Sequence, residues 1–318
     1  MMKVALWDIA AAQRSRLAAA LGADAEFVEA AKSEKLNVDV LIASRFAADD
    51  ASRAAFRLLQ VPGAGLDKIA LDAIDPGAWV CNAFEHEAPI SEYVLATLLE
   101  HEIQLAALVR QIPTVGWAKA YFGRRPHGEL LGKTLTLIGF GHIGEAIAKR
   151  ASAFGMRVLA VASKARATAP AQVERIGGAE FLIDALAAAD YVVVACPLLP
   201  STRGLLGAPQ LKAMKPSAYL VNVARAEVVD ENALYEALTS GAIAGAALDT
   251  WYAYPSNAED LSAPSRHPFA SLANVRMTPH ASAWTEGVWE RRCRVFAENA
   301  RRLAAGRPLL NVVRAPLS

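Results

Sequence analysis

The sequence is poor in the residues that build disulfide frameworks and metal centres. It carries 3 Cys, and Cys81, Cys196 and Cys293 stand far apart, with no C-x-x-C pair and no His–Cys clustering. Neither a disulfide scaffold nor a zinc site is expected, and no metal ligand is assigned. Cys196 lies in an apolar run and reads as a buried, inert thiol. A charge excess is also missing: 33 Lys+Arg stand against 32 Asp+Glu, a net charge of +1. That balance argues against a general nucleic-acid binder and against an acidic solvating tail. No run reaches the roughly 18 consecutive apolar residues of a membrane span, so no membrane partner is expected. Met1–Asp8 reads as a strand running into a turn, without the apolar stretch and small-residue cleavage site of a secretory signal. The expected compartment is the cytoplasm.

What the sequence does have is core. At 318 residues and 54% hydrophobic it exceeds the size at which one core tends to divide, and two domains are expected. Apolar runs of strand length alternate with Ala-rich helical stretches, the pattern of parallel α/β layers. Strands are expected at Val4–Trp7, Val38–Ala43 and Trp79–Asn82, with helices at Arg14–Leu21 and Asp49–Leu59. Apolar residues at helical spacing predict a long helix over Pro89–Val109, followed by Pro113, Gly116 and a basic loop over Gly123–Gly128. A second α/β run has strands at Thr134–Gly139, Arg157–Ala162, Tyr191–Ala195, Ala218–Val223 and Gly245–Leu248. Helices at Ile143–Phe154, Leu182–Ala188 and Glu231–Ser240 separate them, and a charged helix over Glu286–Ala305 closes the chain. Ser256–Arg266 reads as a polar loop.

The most specific local motif is Gly139-Phe140-Gly141-His142-Ile143-Gly144, a G-x-G-x-x-G that follows an apolar strand and opens a helix. Gly139 permits the tight turn, Gly141 lets the backbone approach a pyrophosphate, and Gly144 allows close helix–strand packing. The amides at the start of that helix, from His142 and Ile143 onward, face the phosphates with a favourable dipole. The next strand should end in an acidic residue that holds the adenosine ribose of NAD. Ala162 stands there instead, followed by Ser163, Lys164 and Arg166, which suit the 2′-phosphate of NADP. The cofactor is therefore NADP or NAD, with NADP favoured; a solvated basic loop is the alternative reading.

A series of blocks along nearly the whole chain resembles the D-isomer-specific 2-hydroxyacid dehydrogenase family, which includes phosphoglycerate, glyoxylate/hydroxypyruvate and formate dehydrogenases. They are Val61–Asp67, Ala88–Tyr93, Leu131–Ala162, Cys196–Leu205, Val221–Asp230, Gly245–Trp251 and Thr278–His280. The resemblance implies two doubly wound parallel-sheet domains. A flavodoxin-like substrate domain would span 1–98 and be completed by 285–318, and a Rossmann NAD(P)-binding domain would span 99–284, with the active site in the cleft. It also implies a homodimer, with the long helix and the cofactor domain at the interface.

By the same resemblance Arg225 is the substrate-binding arginine, whose fork holds a 2-oxoacid and polarises its carbonyl. His280 is the proton donor in reduction and acceptor in oxidation. Ala64 and Gly65 form the turn that binds the substrate carboxylate. Asp249 contacts the nicotinamide carboxamide, and Pro197, Thr202, Val223 and Ala224 line the cofactor cleft.

One departure stands out. The family's third catalytic position, normally Glu, or Gln in formate dehydrogenases, is Tyr254. A glutamate beside His280 would favour imidazolium, whereas a tyrosine orients the ring without that charge. Glu259 and Asp260, in the long loop that follows, are the alternative relay residues. Trp251, Tyr252, Tyr254 and Trp284 form, on a further reading, an aromatic wall for a larger substrate. The expected activity is hydride transfer between NAD(P)H and a small 2-oxoacid or D-2-hydroxyacid, such as glyoxylate or hydroxypyruvate. The alternatives are a non-catalytic cofactor-sensing scaffold of the same fold and an enzyme like formate dehydrogenase, the latter disfavoured by Tyr254.

Overall fold

Two separate sheets organise the chain. The computed structural model describes residues 1–7, 9, 11–28 and 34–317, so Asp8, where a turn is expected, lies outside it. The chain divides into two compact units, Met1–His86 with Thr285–Ser318, and Glu87–Trp284. The first division falls ahead of the expected 98/99 cut, and the long helix lies wholly in the second unit.

The first unit opens with β1 (Met2–Trp7), α1 (Ala11–Leu21), β2 (Ala25–Phe27), β3 (Leu36–Ala43), β4 (Ala54–Gln60) and β5 (Trp79–Cys81). These five strands run parallel in the order β5-β4-β3-β1-β2. The helix expected over Asp49–Leu59 is not formed. A 3-10 turn spans Ala48–Ser52, and β4 follows it between β3 and β5. An Ala-rich run suits either period, and pairing on both edges decides for the strand. Ala54 and Phe56 are half-buried while Ala55 and Arg57 point to solvent, the alternation of a strand.

The second unit contains α2 (Glu87–Ile103), α3 (Leu105–Val115), α4 (Trp117–Phe122), β6 (Thr134–Ile138), α5 (His142–Ala153), β7 (Arg157–Val161), β8 (Arg175–Gly177), α6 (Leu182–Ala188) and β9 (Tyr191–Val194). It continues through α7 (Ala208–Ala213), β10 (Tyr219–Asn222), α8 (Glu231–Thr239), β11 (Gly245–Leu248) and β12 (Val275–Met277). Its sheet has the order β12-β11-β10-β9-β6-β7-β8, parallel throughout. Successive strand residues feed opposite faces. Val192, Val194, Leu220 and Leu248 pack with α6 and α8, while Leu135, Leu137, Val193 and Val221 pack with α2 and α5. This is a doubly wound sheet, and chain direction across it reverses between β6 and β9.

The single helix expected over Pro89–Val109 is broken. Gln104 takes a left-handed conformation (φ 51°) between α2 and α3. α2 buries Ile90, Val94, Leu95 and Leu98, whereas α3 buries none of its residues and carries Pro113 within it.

After Trp284 the chain returns to the first unit. There α9 (Glu286–Ala304) places Trp289, Phe296 and Leu303 in the core that contains Leu17, Ile42 and Leu58. β13 (Val312–Arg314) adds to β5 in the antiparallel sense, the one such pairing in that sheet among the described residues. Cys81, Cys196 and Cys293 are all buried thiols. Burial pushes Cys81 up to about 12 and Cys196 up to about 11, so neither is a thiolate at neutral pH. Among the described residues no helix is long and apolar enough to cross a membrane. Nor is any group of three or more His, Cys, Asp or Glu placed to hold a metal ion.

Candidate active site

In the second unit, the candidate residues other than Glu259, Asp260 and Trp284 lie just beyond the carboxyl ends of parallel strands. The glycine turn follows β6, Ser163–Arg166 follows β7, Pro197–Thr202 follows β9, Val223–Arg225 follows β10, Asp249–Tyr254 follows β11 and Thr278–His280 follows β12. Crevices at this edge, next to the reversal between β6 and β9, are where open α/β sheets bind ligands.

The glycine turn fits a dinucleotide pyrophosphate. Gly139 has φ +106°, and a Cβ there would lie 2.7 Å from the backbone nitrogen of Cys196. A Cβ at Gly144 would lie 2.6 Å from the Gly139 carbonyl oxygen. Around Gly141, by contrast, a Cβ meets nothing within 4 Å, so the bare backbone borders open space at the N-terminus of α5. The first bond of that turn runs from the Glu145 amide to the Gly141 carbonyl (2.9 Å), and the amides of Ile143 and Gly144 have no intrahelical acceptor.

Beyond β7, Ser163, Lys164 and Arg166 are exposed and Ala162 is half-buried. Arg166 is drawn back over the glycine turn. Its guanidinium donates to the Phe140 carbonyl (3.2 Å), lies 5.3 Å from the Phe140 ring centroid and stands 3.8 Å from Glu145. Thr202 fastens its own loop: its hydroxyl donates to the Pro197 carbonyl (2.7 Å) and accepts from the Leu199 amide (2.8 Å). Val223 and Ala224 are buried at the end of β10.

Arg225 is half-buried and extended (φ −138°, ψ 140°), and its guanidinium donates to the Ala224 carbonyl (2.8 Å). The turn beneath it is shaped by Asn222, a buried residue to which sequence reasoning gave no role. The Asn222 amide donates to the Arg225 carbonyl (3.0 Å) and its oxygen accepts from the Ala224 amide (3.1 Å).

His280 has φ +57°, a left-handed conformation that costs a non-glycine residue on the order of 1–3 kcal/mol. The surrounding bonds hold it there. Asp249 is fully buried and accepts from the Thr278 hydroxyl (2.6 Å) and the Ala281 amide (2.8 Å) at one oxygen, and from the Ser282 amide (2.9 Å) at the other. Its carboxylate therefore braces the turn on both sides of His280. The Tyr254 hydroxyl lies 2.9 Å from His280 Nδ1 and also accepts from the Trp251 amide (3.3 Å). Tyr254 is 42% exposed, and its hydroxyl end is held by the Trp251 amide and the His280 ring. Burial of that end raises the phenol above its ordinary value, the charges of Asp249 and Glu227 add to the rise, and the group stays neutral at physiological pH.

Asp260, one alternative relay residue, is tied up within its own loop. Its carboxylate accepts from the Ser256 amide and hydroxyl and from the Ser262 amide, bonds that hold it far below the usual carboxylate range. Glu259 is exposed, its amide bonded to Asn257. The aromatic wall is only half built. Trp251 is buried and donates its indole N–H to the Thr278 carbonyl (2.8 Å), and Tyr252 donates to the Val229 carbonyl (2.9 Å) and packs on the core. Tyr254 and Trp284 are the exposed pair.

In the first unit, the turn holding Ala64 and Gly65 is pinned by Asn82, whose amide donates to the Ala64 carbonyl (3.1 Å). Neither Ala64 nor Gly65 donates its own amide to a backbone carbonyl among the described residues.

A family model described as "D-isomer specific 2-hydroxyacid dehydrogenase, NAD binding domain" matches residues 95–282. The D-3-phosphoglycerate dehydrogenase of Methanocaldococcus jannaschii is 35% identical over 262 residues, covering 80% of this chain and 47% of that protein. The glyoxylate reductase of Pyrococcus furiosus is 42% identical over 173 residues, 54% of this chain and 48% of that protein. The chain thus spans about half the length of the curated relatives it matches. The crystal structure of a D-isomer specific 2-hydroxyacid dehydrogenase from Xanthobacter autotrophicus Py2, in complex with NADPH and MES, aligns with a TM-score of 0.78 at 28% identity over 98% of both chains. An NADPH-dependent glyoxylate/hydroxypyruvate reductase from Sinorhizobium meliloti aligns with a TM-score of 0.81 at 22% identity over 98% of both chains, a likeness of fold alone.

Proposed function

Because the chain belongs to the D-isomer-specific 2-hydroxyacid dehydrogenase family, we propose that it is a nicotinamide-dependent oxidoreductase interconverting a small 2-oxoacid and its D-2-hydroxyacid. The observation that carries this reading is the His280 turn: an imidazole in a braced left-handed conformation, with Tyr254 engaging Nδ1. The bound nicotinamide supplies the hydride in reduction and takes it in oxidation. Arg225, extended at the end of β10, binds the substrate carboxylate and polarises the carbonyl. His280, through Nε2, gives a proton to the oxygen in reduction and removes it in oxidation. The turn at Ala64 and Gly65 offers amides to a carboxylate. Glyoxylate and hydroxypyruvate are the first substrates to try, since neither needs a large side-chain pocket.

We infer a preference for NADP over NAD. Ala162 leaves no acid to accept from a ribose 2′-hydroxyl, and Lys164 and Arg166 bring two cations to the end of β7. The Arg166–Glu145 pair is long and exposed on both sides, a class of pair worth about 0–1 kcal/mol, so it competes weakly with a 2′-phosphate. A second copy of the chain is the proposed partner, seated on α3 and α4, where Val109, Ile112, Trp117 and Phe122 are 66%, 50%, 64% and 85% exposed.

The test is the absorbance of NADPH and NADH incubated with glyoxylate, hydroxypyruvate, pyruvate and phenylpyruvate. Oxidation of NADPH in preference to NADH is the expected outcome. Turnover with none of the four acids removes the oxoacid reading, and a preference for NADH removes the reading of Ala162–Arg166.

A further inference from the structure

We propose that Tyr93 is a positioning residue for His280, acting from α2 through Thr278 and Asp249. The proposal rests on the reading of His280 as the proton-transfer residue and adds a group outside the expected catalytic set. The Tyr93 hydroxyl lies 2.7 Å from the Thr278 hydroxyl oxygen, which lies 2.6 Å from an Asp249 oxygen. Asp249 is acceptor-only when ionised, so the single Thr278 proton points to it and Tyr93 must be the donor of the first bond. The chain therefore runs in one direction: phenol to hydroxyl to carboxylate.

The geometry gives this chain a task. Asp249 is 0% exposed, so water cannot replace a lost donor. Its three donors, Thr278, Ala281 and Ser282, bracket His280. The Thr278 carbonyl also accepts from the His280 amide (3.0 Å) and from the Trp251 indole (2.8 Å). One residue thus links α2, β11 and the histidine turn. With Tyr93 in place, the Thr278 hydroxyl has its acceptor side occupied and a single rotamer to adopt. Without it, the hydroxyl is released to turn, and the Asp249 carboxylate loses a fixed donor on the amino-terminal side of the strained residue. The effect is expected at His280, because the Tyr93 hydroxyl bonds Thr278, two residues before it.

The test uses the full chain with Tyr93→Phe, Thr278→Val and Thr278→Ser, NADPH and glyoxylate, and amide hydrogen exchange across residues 278–284. Expected for Tyr93→Phe and Thr278→Val are faster exchange at the Ala281 and Ser282 amides and a roughly tenfold lower kcat. Thr278→Ser, which keeps the hydroxyl, restores both. Unchanged exchange in Tyr93→Phe overturns the proposal, as does a defect confined to the KM for NADPH. His280→Ala is the separate control. If that variant still turns over, the proton-transfer reading fails, while the exchange measurement still decides whether Tyr93 braces the turn.

Discussion

At Tyr254 a neutral hydroxyl faces His280 Nδ1 at 2.9 Å, where relatives by resemblance carry a carboxylate. The difference is one of charge more than of position. A phenol hydrogen-bonds either protonation state of the ring, and only a carboxylate stabilises imidazolium by Coulomb attraction. Tyr254→Glu should therefore raise the histidine pKa. In reduction the acid form is the active one, so the histidine-controlled limb of kcat/KM should shift to higher pH. A limb that stays in place in the variant contradicts the pairing. Tyr254 was legible in the sequence only through the family resemblance, which marks its position after Arg225 as the third catalytic one. Tyr93 was not, because its bond to Thr278 joins residues 185 positions apart and nothing local marks either as a partner.

At the scale of elements, legibility followed how local the cause is. The glycine turn is marked by a short local motif, although the backbone that excludes a Cβ at Gly139 comes from Cys196, beyond the end of β9, and strand, turn and helix stand where the motif requires them. β4 and the break at Gln104 depend on tertiary neighbours: two flanking strands in one case, the end of the buried face of α2 in the other. The α3 face makes its own prediction. Leu105, Val109 and Ile112 recur at helical spacing and are all at least half exposed, so they form one apolar stripe. Substituting Val109 and Ile112 together with Glu should convert a dimer to a monomer in sedimentation equilibrium while NADPH binding persists. Sedimentation of the unaltered chain as a monomer contradicts the proposed partner.

For the whole molecule, the division into two units predicts how fragments behave. Residues 87–284 hold a complete seven-stranded sheet with both faces covered. Expressed alone, this segment should unfold cooperatively when followed by circular dichroism. Residues 1–86 lack Trp289, Phe296 and Leu303, which fill the core against Leu17, Ile42 and Leu58, and alone they should show no cooperative transition. Co-expression with 285–318 should restore one. A cooperative transition in 1–86 alone, or its absence in 87–284, contradicts the assignment.

The return of α9 and β13 to the first sheet also has a consequence in time. Synthesis makes the first unit's parallel strands before the second unit, yet they are the last to obtain a full core, because the helix that covers them is made only after the whole of Glu87–Trp284. The second unit can be finished while the first still exposes the apolar face that α9 will cover. The nascent chain therefore passes through a stage in which the first unit's apolar face is made but uncovered, and protection during synthesis matters most for that unit.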